Sequence, residues 1–221
     1  SLGVAGHRLT GCPATFVFDR PFAFNRHDLA AVSFPPVRFG RRRLTWFWLM
    51  RTLRKYLAHL RSLGLRVALT VHNDKDVAVA RRFAGGGVEL FVSNETKDFY
   101  ELYSRCRFVV GFRLHATIIS LSLGTPFVPV AFDWRGTGFA ETYGAADRMI
   151  SGGRWGLYKA LVERTAGILA EDRAPFQEFI AGRDRLRAEM TRFIADCQQR
   201  HPALKLKLVI SSVVPWAPLR F

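Results

Sequence analysis

Arg113 and His115 stand two residues apart in "FVVGFRLHATIISLSLGTPF" (108–127), a stretch that is otherwise almost wholly apolar. An arginine there offers a permanently charged planar fork suited to a carboxylate or a phosphate. A histidine offers a proton that moves near neutral pH. Together they describe a site for an anionic substrate that needs protonation. The competing account is structural: Arg113 snorkels to solvent and His115 is a hydrogen-bonded core histidine. Other candidates carry the same two-sided weighing. His72 and Asp76 in "TVHNDKD" follow a strand pattern and could face a cleft, or form a solvated helix cap. Arg38 after "VSFPP" could touch an anion or sit on a surface loop, and Asp133 could orient a cleft loop or accept from a hydroxyl. Cys12, between Gly11 and Pro13, fits packing in a turn better than nucleophilic catalysis, since no base is visible beside it.

Elements that would position these residues alternate between strand and helix, which argues for an α/β layer architecture with a mainly parallel sheet. Strand patterns occupy 29–34, 65–71, 88–92, 107–111 and 127–132. Helical patterns occupy 42–64, 74–84 with Asp74 as N-cap, a stretch near 95–105, and 114–124. The first carries Leu49, Leu53, Leu57 and Leu60 on one face and closes at Gly64, while Gly124 and Pro126 stop the last. A glycine-rich loop is expected after residue 132, followed by helices near 155–170 and 174–199, the second with Pro175 in its first turn. Residues 1–28 read as the end of a preceding domain or the crossover from it, 29–200 as a Rossmann-like domain, and 201–221 as a tail of uncertain structure. In such a sheet ligands gather at the carboxyl ends of strands, where the next helix presents free N–H groups and partial positive charge. Residues 111–116 fall at such a junction.

Composition narrows the function classes. The formal net charge is +15 over 221 residues, so an anionic partner must be considered. Yet arginine supplies all but six of the 33 basic residues, a skew also expected from a GC-rich genome, and only "RRR" at 41–43 forms a tract. No RNA-binding aromatic signature or zinc-finger spacing accompanies it, so nucleic acid is not expected as a partner. Cys12, Cys106 and Cys197 are far apart, with no CxxC, so free thiols are expected rather than a disulfide framework or a metal site. No signal-peptide pattern opens the sequence and no apolar run reaches the ~18 residues of a bilayer span, so a cytoplasmic protein is expected. Starting at Ser1 inside folded-looking sequence, the chain reads as processed, cropped or incomplete. Trp46, Phe47 and Trp48 beside Arg41, Arg42, Arg43, Arg51 and Arg54 could make a peripheral contact with the inner membrane; core packing of the aromatics is the preferred account.

"GFRLHATIISLSLGTPFVPVAFDWRGTGFAETYG" resembles the signature of the polysaccharide pyruvyl transferase family: a strand ending in Gly-x-Arg-Leu-His, a helix ending in Gly-x-Pro, then a strand leading to an aromatic–Asp pair, a basic residue and a glycine. Upstream, "TGCP" (10–13) resembles the Gly-Cys-Pro that this family carries near the join of its two halves. The resemblance implies the C-terminal half of a GT-B-like fold of two Rossmann-type domains, the missing N-terminal half forming the other cleft wall. It implies phosphoenolpyruvate as donor, a glycan or lipid-linked oligosaccharide as acceptor, and no cofactor or metal. The product would be a pyruvate ketal in bacterial exopolysaccharide or cell-surface glycan synthesis. Carried over, Arg113 would bind the donor's carboxylate or phosphate and His115 would be the general acid, with Leu114 between them in the donor-binding block. The family usually has Lys near Arg135, so the charge is kept there and the contact geometry changed. Two rivals stand beside this expectation: a GT-B glycosyltransferase using a nucleotide sugar, and a non-catalytic domain that binds anionic glycan.

Overall fold

A computed structural model describes residues 12–17, 28–36, 43–153, 155–170 and 174–200. Six strands form one parallel sheet: β1 (Leu29–Ser33), β2 (Arg66–Val71), β3 (Val88–Val92), β4 (Phe108–Gly111), β5 (Phe127–Ala131) and β6 (Ile150–Ser151). Their spatial order is β3-β2-β1-β4-β5-β6. Among the described residues seven α-helices accompany the sheet: α1 (Arg43–Ser62), α2 (Asp74–Ala80), α3 (Thr96–Ser104), α4 (Leu114–Leu123), α5 (Trp134–Thr142), α6 (Leu157–Leu169) and α7 (Ala174–Arg200). The α/β architecture expected from the alternating patterns is the one that forms.

The strands read as apolar runs because both faces of the sheet are covered. Ala30 and Val32 point to one face, packed with Leu49, Leu53, Leu57 and Leu60 of α1 and Leu157 and Leu161 of α6. Ala31 points to the other, with Phe99 and Tyr103 of α3, Ile119 of α4, Phe139 of α5 and Phe179 of α7. The expected leucine face of α1 is thus its core face, each fully buried Leu contributing about 1.5–3 kcal/mol. Gly124 ends α4 in the left-handed conformation at φ 75°, as its position predicts.

Three local expectations are corrected. Asn73, not Asp74, caps α2, its side-chain oxygen accepting from the Lys75 amide at 3.0 Å. The loop expected after residue 132 is instead α5, which keeps Gly136 because a Cβ there would come within 2.7 Å of the Ala131 Cβ on the strand beneath. A two-residue sixth strand, β6, follows it.

Phe47 and Trp48 also depart from the expected core packing, at 58% and 52% exposed; only Trp46 turns inward, edge-on to Phe34 at 6.4 Å. No helix among the described residues is long and apolar enough to cross a membrane. The tail 201–221 lies outside the described residues.

Candidate functional site

Chain order reverses between β1 and β4, neighbours in the sheet that lead to helices on opposite faces. A crevice at the carboxyl ends of such strands is the general ligand position of open α/β sheets. Arg113 occupies it. β4 stops at Gly111, where a Cβ would collide with the Thr117 hydroxyl, so α4 can sit directly over the strand end. Phe112 is then buried against Phe132 at 6.0 Å, and Arg113 takes the N-cap position of α4 in extended backbone.

The ends of two neighbouring strands hold Arg113 through three contacts. Its main-chain N–H donates to the Ser33 hydroxyl at the end of β1, 3.1 Å away. Its Nε donates to the carbonyl of Phe34 at 3.2 Å. Its Nη2 pairs with Oδ2 of Asp76, in the first turn of α2 beyond β2. The Asp76 side chain is 4% exposed and that of Arg113 18%, so the pair is largely withdrawn from water. Burial lowers the pKa of the guanidinium from its ordinary value. The snorkelling account of Arg113 and the solvated-cap account of Asp76 are both overturned.

No side chain caps α4, and although the Ala116 amide donates to the Arg113 carbonyl at 3.0 Å, the Leu114 and His115 amides at the helix start can face an anion beside the guanidinium. Leu114 is half-buried against the core on the α3–α4 side, contributing packing through its side chain. His115 lies exposed on the first turn, and no described residue holds its ring by a hydrogen bond. The core-histidine account of His115 is therefore overturned as well.

His72 is a different kind of histidine. Its ring stacks on Phe99 at 4.1 Å and 14°, and its Nε2 shares a hydrogen bond of 2.8 Å with the Tyr103 hydroxyl, itself 2.9 Å from Thr70. Burial, reinforced by the nearby charges of His115 and Arg113, pushes its pKa down to about 3. It is thus a neutral wall of the site at ordinary pH, not a solvated cap. The folded His72 takes a proton only near pH 3, and the unfolded one near 6.5, so stability falls as pH drops through that window. His72→Gln is expected to flatten that acid limb by about one proton's slope, read as Tm against pH beside the unsubstituted chain.

One strand along, Asp133 caps α5, accepting from the Arg135 amide at 3.0 Å. Its Oδ2 also takes the Arg135 Nε at 3.0 Å and Nη2 at 2.6 Å. These Arg135 hydrogen bonds hold the Asp133 carboxyl below the usual carboxylate range. Asp133 therefore acts on Arg135 and the helix start, while the Arg135 side chain is 61% exposed at the rim. Arg38 lies outside the described residues. Cys12 packs in a turn, its amide 3.2 Å from the Tyr143 hydroxyl. Among the described residues no group of three His, Cys, Asp or Glu could hold a metal ion.

Sequence reasoning brought Arg113, His115, His72 and Asp76 into view, but not the Ser33 hydroxyl, the Phe34 carbonyl, Phe99 or Tyr103. The one available signal was Ser33 itself, a lone hydroxyl closing an otherwise apolar strand.

The sequence model of the family described as Polysaccharide pyruvyl transferase matches residues 4–133. No curated protein matches the chain. Among solved structures, a mutant of the Thermobaculum terrenum O-GlcNAc transferase is similar, with a TM-score of 0.51 and 14% identity. The match covers 82% of this chain and 38% of that one, so this chain spans well under half the length of that enzyme, and the likeness is one of fold.

Proposed function

Because the chain belongs to the polysaccharide pyruvyl transferase family, we propose that it transfers the enolpyruvyl group of phosphoenolpyruvate onto a pair of glycan hydroxyls, leaving a pyruvate ketal. The observation that carries this reading is the clamped, half-buried Arg113 at the start of α4 with the open His115 two residues on.

In this proposal the donor's carboxylate or phosphate sits on Arg113 and the Leu114 and His115 amides at the start of α4, where partial positive charge already favours an anion. His115 gives a proton to the methylene carbon of the donor, which becomes a methyl group. Positive character at the neighbouring carbon is met by one sugar hydroxyl, and a second hydroxyl displaces phosphate as its C–O bond breaks. One hydroxyl proton restores His115 and the other leaves with phosphate. This chemistry calls for an acid and a fixed cation, and for neither a metal nor a nucleotide. The donor-binding unit in this proposal is residues 29–200, with residues 1–28 the end of a preceding domain or the crossover from it, Phe16 of that stretch packing into the same core, and the opposite wall supplied by that preceding domain. Phosphoenolpyruvate is made inside cells, so the reaction would run in the cytoplasm, at the membrane face where the acceptor is lipid-linked. The expected setting is exopolysaccharide or cell-surface glycan synthesis.

The test is to incubate the purified protein with a glycan acceptor and either phosphoenolpyruvate or nucleotide sugars, following phosphate or nucleotide release. Acceptor-dependent phosphate release, with the acceptor gaining the mass of a pyruvate ketal, is expected. Nucleotide release alone would replace this function with glycosyl transfer, and binding without turnover of any donor would replace it with a glycan-binding role.

A further inference from the structure

A second feature lies on the same rim of the sheet. A cavity of about 460 Å³ opens between the first half of α1 and the loop joining β6 to α6. That is within the roughly 300–1,000 Å³ of small-ligand sites. Thr45, Trp48 and Thr52 contribute from α1, at the spacing that puts them on one helical face, and Gly152, Trp155 and Tyr158 from the other side. The rings of Trp48 and Trp155 stand 6.1 Å apart at 47°. Both are costly to leave in water, yet Trp48 is 52% and Trp155 88% exposed.

Two chains of contact tie this cavity to Arg113. On one side Trp46, two residues before Trp48, packs on Phe34, whose carbonyl receives the Arg113 Nε. On the other, Gly152 continues the sheet by donating to the Ala131 carbonyl at 2.7 Å, and lies so close to the Phe132 ring that any Cβ would collide with it. Phe132 stacks in turn on Phe112, the residue before Arg113.

The lining selects the ligand class. Among the described residues no charged side chain lines the cavity, in a chain of net charge +15. Two tilted indole faces suit the C–H face of a pyranose, and the hydroxyls of Thr45 and Thr52 suit its hydroxyl rim. We propose that this cavity is the acceptor subsite, seating one neutral pyranose unit against the exposed platform that Trp48 and Trp155 form together, on the rim that also carries Arg113. The assignment rests on the pyruvyl-transfer reading for its role as acceptor, but the pyranose binding itself does not depend on that reading.

Saturation-transfer NMR of the purified protein with the methyl pyranosides of glucose, galactose and mannose tests it, with phosphoenolpyruvate binding measured by calorimetry on the same samples. At least one glycoside is expected to receive saturation, strongest at its ring C–H protons. Trp48→Ala and Trp155→Ala are each expected to weaken it about tenfold, the size of a lost stacked ring, while Trp155→Phe retains most of it. Both tryptophans are exposed, so these variants should fold, and their binding of phosphoenolpyruvate should be unchanged. No transfer to any of the three, or transfer undiminished in the double Trp→Ala variant, overturns the subsite. So does tryptophan-dependent binding to vesicles of phosphatidylcholine and phosphatidylglycerol without glycoside binding, which would make the pair a membrane contact. Glycoside binding in a protein that ignores phosphoenolpyruvate would instead sink the donor assignment and leave this site standing.

Discussion

His115→Ala is expected to cut phosphate release from phosphoenolpyruvate by about 10²–10⁴-fold, the usual contribution of a positioned general acid, while leaving the fold intact. The second half of that expectation comes from position: the ring is exposed on the first turn of α4, and no described side chain depends on it. An unchanged Tm alongside the lost rate would separate this substitution from a folding defect. Because the site is open at this point, added imidazole should restore part of the turnover in His115→Ala. Run in heavy water, the native reaction should place one deuterium in the new methyl group. Full-rate phosphate release by His115→Ala would sink the acid role.

Arg113→Met is expected to fail in two ways at once. It removes the cation proposed to hold the donor, and it takes the Arg113 ion pair from the Asp76 carboxylate, 4% exposed. Breaking a buried pair from one side costs about 3–5 kcal/mol, which for a domain of this size lowers Tm by roughly 6–12 °C at the lower end of that range. Adding Asp76→Asn removes that buried charge, so the double variant should regain part of the lost stability. It should regain no phosphoenolpyruvate binding. Calorimetry and thermal unfolding on the three chains therefore distinguish an arginine that merely braces the fold from one that also binds the donor. If the double variant bound and turned over phosphoenolpyruvate like the unsubstituted chain, Arg113 would be a strut alone.

The parallel sheet was legible because strands buried on both faces must be nearly continuous apolar runs, as "LAAVS" and "FVVG" are. Helix α5 was not, because Gly136 and Gly138 argue against a helix. What outweighs them is the local Asp133 cap together with a tertiary close approach to Ala131 that only glycine permits. At the site, Arg113 and His115 stood out by being polar in an apolar stretch, whereas the role of Asp76 depended on which helix lands beside which strand. His72 was misjudged because only the fold reveals Phe99 and Tyr103 beside it. Phe47 and Trp48 could have been read better, since the leucine face at 49, 53, 57 and 60 already turns them outward.

The three contacts of Arg113 reach partners 80, 79 and 37 residues earlier in the chain. Each closes a long loop, and such closures are entropically costly and slow relative to local turns. The cradle of Arg113 is therefore not a local motif that an isolated strand–helix segment could carry. It comes into being only when the two halves of the sheet have docked along the β1–β4 seam. During folding, capture of an anion at Arg113 would mark completion of the topology rather than formation of any one element, and a fragment holding only β4 and α4 would have the residues of the site without the site.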